Sequence, residues 1–126
     1  MNEKCFKMIN KALKILSFFF IATAAYHFVG IFYKINSSSV WRNALFVVGS
    51  ILVFYFMYKR PKYFVYLFGI LLLQQYNGHG QYLYKLWHEK QEIHWISVID
   101  LTVLSTIFIL LVIELIEKSR KIQVEL

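Results

Sequence analysis

The sequence predicts an all-α integral membrane protein, an antiparallel bundle of four transmembrane helices. Its 126 residues are 59% hydrophobic and 19% aromatic, more apolar surface than a soluble domain of this size can bury. The apolar residues form four stretches, each about long enough to cross a hydrocarbon core of roughly 30 Å. Cationic residues lie at or beyond the ends of these stretches. We therefore predict a single membrane domain with spans at about 13–33, 41–58, 63–84 and 94–116.

The segment before the first span has an amphipathic pattern. Four lysines recur at three- and four-residue spacing and share one helical face, while four apolar residues share another: Lys4, Lys7, Lys11 and Lys14 against Phe6, Ile9, Leu13 and Leu16. This pattern predicts a short interfacial helix that runs directly into the first span, with its lysines toward the lipid headgroups. The alternative is a frayed start whose lysines only enforce orientation.

The distribution of cations predicts the orientation in the membrane. Ten of the fourteen Lys and Arg residues lie in the N-terminal segment, the second connection and the C-terminal tail, which an even number of spans puts on one face. The positive-inside rule then places both termini in the cytoplasm. We expect the membrane to be a bacterial inner membrane. The turn Lys59-Arg60-Pro61-Lys62 is the strongest signal, because its cations resist translocation and Pro61 ends the preceding helix. Because the basic residues cluster at span ends, lipid headgroups rather than nucleic acid are their expected partners.

The outer end of the third span is predicted to be irregular. Gly78 and Gly80 flank His79, and glycine lowers helix stability, so we expect the helix to end, kink or open there. The boundary is placed between residues 77 and 87, with a connection over residues 85–93. Such a deviation would turn His79 toward the bundle interior.

Polar residues cluster near the predicted outer face. His27 and His79 lie at similar distances from the outer ends of their spans, so antiparallel packing puts them at similar depth, where they can meet. The other members of this candidate site lie one helical turn from His79 or in the outer half of span four: Gln75, Ser97 and Asp100. Asp100 is the only carboxylate set well inside a predicted span. It is expected to face the interior, because an unpaired ionisable group in lipid costs several kcal/mol.

Three interpretations of this cluster stay open. The groups can form a polar core that hydrogen-bonds across helices, which is the simplest interpretation. His27 and His79, with or without His88 or His94, can bind a transition metal or a haem. Alternatively, the histidines and Asp100 relay protons or line a pocket for a small substrate or quinone.

The second outer connection forms a weaker candidate site. It contains His88, Glu89, Glu92 and His94, a composition typical of metal sites. A metalloprotease His-Glu-x-x-His helix would need histidine at position 92, where Glu92 stands, so a solvated loop is the preferred interpretation. The lone Cys5 cannot form an intrachain disulfide. No Gly-rich phosphate loop, nucleophile elbow or pair of catalytic carboxylates is found.

These observations predict a non-enzymatic subunit or accessory protein whose outer surface binds lipid and partner membrane proteins, or other copies of itself. The alternative is a redox or proton-handling protein with a His/Asp site near the outer face.

The chain also resembles the DoxX-like small membrane proteins. The resemblance lies in four short spans, in His27, Gly30 and Lys34 at the end of the first, in Gly49 in the second, and in His79 near the outer end of the third. It covers most of the chain as a hydropathy pattern and only a few scattered residues as sequence. It implies the four-helix fold and no particular reaction.

Overall fold

The computed structural model describes residues 1–125, and all their regular secondary structure is helical. The four helices are α1 (Glu3–Phe32), α2 (Val40–Lys59), α3 (Phe64–Lys90) and α4 (Trp95–Glu125). The predicted all-α class with four helices is confirmed. By length and composition α1, α2 and α4 can each cross a membrane. In α3 the long polar run of the second half lowers the average hydropathy below that of the other three helices. By length and composition α3 is therefore not among the helices that can cross a membrane.

The limits of α2 follow from local chemistry. The Ser39 hydroxyl accepts a hydrogen bond from the Arg42 backbone N–H at 3.2 Å and caps the first turn. At the other end Arg60 adopts the left-handed conformation, with φ 44° and ψ 63°, and its N–H bonds to the Phe56 carbonyl. Pro61 disfavours a right-handed helical conformation at Arg60. The predicted end of the second helix is thus confirmed.

The prediction of an irregular third helix around Gly78 and Gly80 is wrong. Helix α3 runs without a break to Lys90, and no glycine in the described chain has a positive φ. The predicted connection over residues 85–93 is mostly helical, and only four residues separate α3 from α4. Two glycines cost about 2 kcal/mol at most. That cost is offset because residues 81–90 contain no further Gly or Pro and because α3 packs along α4.

Helix α4 extends past the predicted end of its span at residue 116. It reaches Glu125 and carries the charged tail with it. Near this end Glu114 and Glu117 are buried, and each has a basic partner on the same helix. Lys118 Nζ lies 2.8 Å from Glu114, and Arg120 Nη1 lies 3.2 Å from Glu117. The sequence indicated only a charged exit here, because the burial of these carboxylates depends on packing.

Contacts divide the chain into two compact units. The first unit is Asn10–Pro61, and the second unit joins Met1–Ile9 to the part of the chain that begins at Lys62. In the first unit, residues that come later in α1 contact residues that come earlier in α2. Lys14 Nζ lies 5.6 Å from the Tyr58 ring centre, and the rings of Phe18 and Phe54 are 5.8 Å apart.

The second unit contains the packing of α3 on α4. Buried apolar residues recur every three or four positions on α4, which makes a stripe of Leu101, Leu104, Ile107 and Leu111. Here too, residues that come later in α3 contact residues that come earlier in α4. Tyr76 of α3 bonds Ser105 of α4, whereas the later His79 bonds the earlier Ser97. This order brings the polar residues of α3 to the first turns of α4.

The second unit also joins the beginning of α1 to the end of α4. Lys121 Nζ lies 4.3 Å from the centre of the Phe6 ring, a cation–π contact. The amino group of Met1 lies 3.6 Å from a Glu117 carboxylate oxygen. The residues before the first span and those after the last one therefore lie side by side.

Candidate functional site

The main polar cluster lies where the second half of α3 packs on the first two turns of α4. Its centre is Ser97, whose side chain is only 1% exposed. The Nδ1 atom of His79 lies 2.7 Å from Ser97 Oγ, and the Nδ1 atom of His94 lies at the same distance. One buried hydroxyl thus joins two imidazoles from different elements, one on α3 and one just before α4.

The second ring nitrogen of His79 faces Asp100. His79 Nε2 and Asp100 Oδ2 are 3.9 Å apart, and each side chain is 30% exposed. This distance allows an ion pair but is longer than a direct hydrogen bond. Ser97 and Asp100 are three residues apart on α4, so they occupy the same face of that helix and reach the same imidazole. Three of the predicted site residues, His79, Ser97 and Asp100, are therefore together.

Two tyrosines border this cluster. The Tyr82 ring packs edge-on against His94, with centroids 5.0 Å apart, and the Tyr76 hydroxyl bonds Ser105 Oγ at 2.6 Å. The predicted Gln75 is half-buried beside Tyr76 in α3. We did not predict Tyr76 and Ser105 as site residues. Their spacing from His79 and Asp100, one to two turns away, was the available signal.

His27 lies in the first unit with partners of its own. Its Nδ1 lies 2.8 Å from Asn43 Oδ1, and its ring stacks on Phe46 at 4.5 Å between centroids. The Asn43 amide nitrogen donates to the Gly30 carbonyl at 3.1 Å, which fixes its oxygen toward His27. Because that oxygen can only accept, His27 must donate from Nδ1. The meeting of His27 with His79 stays a prediction.

Asn43 is the residue that sequence reasoning missed. It is 0% exposed, and it also exchanges hydrogen bonds with Asn36 of the preceding loop, at 3.2 and 3.3 Å. A buried amide with several partners fixes the register of the helices that it joins. The available signal was a strongly polar, uncharged side chain within the second apolar stretch.

The second outer connection was the weaker candidate site, and its residues do not form one cluster around His94. His88 lies on α3, where its Nδ1 bonds the Tyr84 carbonyl at 3.0 Å and its ring stacks on Tyr84. Glu89 and Glu92 are exposed. Over residues 1–125, no group of three or more His, Cys, Asp or Glu side chains is arranged to hold a metal ion.

Comparison with known proteins gives no match: no family model, curated protein or solved structure is significantly similar to the chain.

Proposed function

We propose that the chain is a four-span protein of the bacterial inner membrane, with both termini in the cytoplasm and the helices arranged as an antiparallel bundle. Three helices satisfy the length and hydropathy of a span, and α3 does not. With three crossings, the beginning of α1 and the end of α4 would lie on opposite faces, roughly 30 Å apart. The Phe6–Lys121 contact of 4.3 Å supports an even number of crossings, and therefore a crossing by α3.

Single-cysteine labelling tests this topology. Cys5 is exposed and is the only native cysteine, so it reports on the N-terminal side directly. In intact cells a membrane-impermeant maleimide is expected to leave Cys5 unlabelled. In a Cys5→Ala background it should label Ser37→Cys and Gln91→Cys but not Val124→Cys. A three-span protein gives the opposite result at the last two positions, with Gln91→Cys protected and Val124→Cys labelled.

We propose that this protein acts as a non-enzymatic subunit or accessory protein of a membrane complex. The observation that carries this proposal is the amount of exposed apolar surface. Large apolar side chains are more than half exposed on every helix, among them Phe18 at 63%, Leu73 at 72% and Ile109 at 58%. Water would make such surface prohibitively costly. Lipid and the apolar faces of neighbouring helices can cover it.

The accessory role is tested by the assembly state in native membranes. Extraction in lipid-retaining polymer discs, followed by native mass determination, is expected to recover the 15.1 kDa chain in a larger complex with a fixed stoichiometry. The complex would contain either other membrane proteins or further copies of the chain. Recovery as a monomer with lipid alone would contradict the accessory role and leave the membrane topology intact.

A second candidate function is proton handling, and the His79–Ser97–His94–Asp100 arrangement favours it. Ionisable groups are rare inside membrane spans and are concentrated on proton and ion pathways. Here the Asp100 carboxylate faces the His79 imidazole, and the buried Ser97 hydroxyl joins that imidazole to the one of His94.

A further inference from the structure

The shared hydroxyl of Ser97 restricts the protonation states of its two histidines. Both Nδ1 atoms lie 2.7 Å from Ser97 Oγ, and a hydroxyl has one proton to donate. At most one imidazole can therefore accept that proton, and an imidazole that does not accept it must donate its own N–H to one of the two lone pairs of the oxygen.

The backbone of Ser97 decides which histidine accepts. Its N–H lies 3.3 Å from His94 Nδ1, and an amide N–H can only donate. His94 Nδ1 therefore carries a lone pair, and the neutral His94 ring holds its proton on Nε2. The Ser97 hydroxyl then points to His94, and its oxygen accepts from His79 Nδ1–H.

This assignment leaves Nε2 of His79 opposite Asp100. In a neutral ring with Nδ1–H, the Nε2 atom presents a lone pair toward Asp100 Oδ2 at 3.9 Å. A lone pair opposite a carboxylate is repulsive, and the repulsion is strong where little water screens it. A proton at this contact removes the repulsion, whether it is held as imidazolium with carboxylate or as imidazole with carboxylic acid.

We propose that Asp100, His79, Ser97 and His94 form a proton relay of fixed direction between the membrane interior and the outer surface. This inference rests on the second proposed function and gives its path. Two further ionisable side chains lie at the borders of this path: Tyr82 packs against His94, and Tyr76 bonds Ser105.

The transfer balances as a series of single proton exchanges. The Asp100 carboxyl gives its proton to His79 Nε2, and the His79 Nδ1–H bond breaks as that proton passes to Ser97 Oγ. The Ser97 hydroxyl proton passes to His94 Nδ1, and the His94 Nε2–H proton leaves to water. Asp100 ends as a carboxylate, both rings stay neutral with exchanged tautomers, and one proton has left. The reverse series protonates Asp100 from outside.

The same backbone N–H sets the resting state of the relay. After outward transfer, His94 carries Nδ1–H, which faces the Ser97 N–H, so two donors oppose each other. That state is less favourable than the starting one, where His94 Nδ1 accepts. The relay therefore rests with its proton at the Asp100–His79 end.

The first test is the tautomer of each histidine. The full chain has only four histidines, so nitrogen-15 labelling in lipid bilayers gives a resolvable spectrum, assigned with single His→Gln variants. Where the rings are neutral, His79 is expected to carry Nδ1–H and His94 to carry Nε2–H. Equal tautomers at both positions, or rapid averaging at either, would overturn the proposal.

The second test is the rate at which Asp100 changes protonation after a pH jump in the outer medium, followed by its carboxyl infrared band. Ser97→Ala is expected to slow this rate roughly 100-fold, the lower end of what a positioned proton-transfer group contributes. Ser97→Thr keeps the hydroxyl and should keep the rate near that of the wild type. Thr106→Val, which removes a hydroxyl of the same helix that donates to the Thr102 carbonyl outside the relay, serves as the matched control.

An unchanged rate in Ser97→Ala would overturn the relay even if vesicles containing the protein conduct protons. Conversely, vesicles that show no net proton flux would contradict the proton-handling function, while the tautomers and the Ser97→Ala rate would still decide the relay.

Discussion

Replacement of Asn43 with leucine is expected to destabilise the protein by about 2 kcal/mol, because hydrogen bonds between membrane helices contribute about 0.6 kcal/mol each and three groups lose this partner. The three groups are the His27 imidazole, the Gly30 carbonyl and the Asn36 side chain. Leucine is branched at the same side-chain carbon as asparagine, but it is larger and can neither donate to nor accept from any of them. Reversible unfolding in mixed micelles measures the change in free energy.

Two controls separate this loss from a general effect of substitution. Val48 is 57% exposed on the same helix, so Val48→Leu should leave stability within about 0.5 kcal/mol. An added Cβ at Gly30 would lie 2.9 Å from Asn36 Nδ2 and 3.0 Å from Asn43 Nδ2, so Gly30→Ala should destabilise by about 1 kcal/mol or more. A Cβ added at Gly49 would meet no atom within 4 Å apart from its chain neighbours and the backbone of its own helix. Gly49→Ala should therefore stabilise the protein, because alanine favours the helix more than glycine does. Equal behaviour of the two glycine variants would contradict the packing described around Asn43.

Replacement of Asp100 with asparagine is expected to abolish proton-linked activity while the fold is kept. The amide keeps the shape and can still hydrogen-bond, but it cannot take or release a proton near pH 7. Vesicles containing the protein and an internal pH dye would measure the loss of proton flux. Unfolding in mixed micelles should show a change of less than about 1 kcal/mol, since Asp100 is partly exposed.

Asp100→Leu is the matched variant for the structural role of the carboxyl. It removes both the partner of His79 Nε2 and the group that takes and releases the proton. The free energy of unfolding and the proton flux are therefore both expected to fall. Flux that survives in Asp100→Asn would exclude Asp100 from any proton path. Full stability in Asp100→Leu would show that the carboxyl contributes nothing to the packing of α3 on α4.

Parts of the site were predictable because they depend on local chemistry. The need for a partner at Asp100 follows from the cost of a carboxylate in an apolar span, and His79 was among the few polar groups at similar depth. Ser97 and Asp100 share a face because they are three residues apart on one helix. The involvement of His94 was less predictable. Its contact with Ser97 depends on the short connection between α3 and α4, where the sequence indicated a longer loop.

Other parts depend on which faces of two helices meet, and one sequence does not contain that information. Asn43 looked like a minor polar residue until the fold placed it against Gly30, where the absence of a side chain lets the amide approach the backbone. Gly78 and Gly80 indicated a break, yet α3 is continuous. Local propensities of about 1 kcal/mol per glycine are smaller than the packing of an entire helix.

The sequence by itself determined the all-α class, the four helices and the end of α2 before Pro61, because hydropathy, spacing and proline geometry act within a few neighbouring residues. Only the tertiary structure decided that Asn43 and not another residue holds His27, that Ser97 joins two histidines, and that the beginning of α1 contacts the end of α4. These contacts join residues far apart in the chain. They depend on the rotation of each helix about its axis, which side-chain packing sets and composition does not.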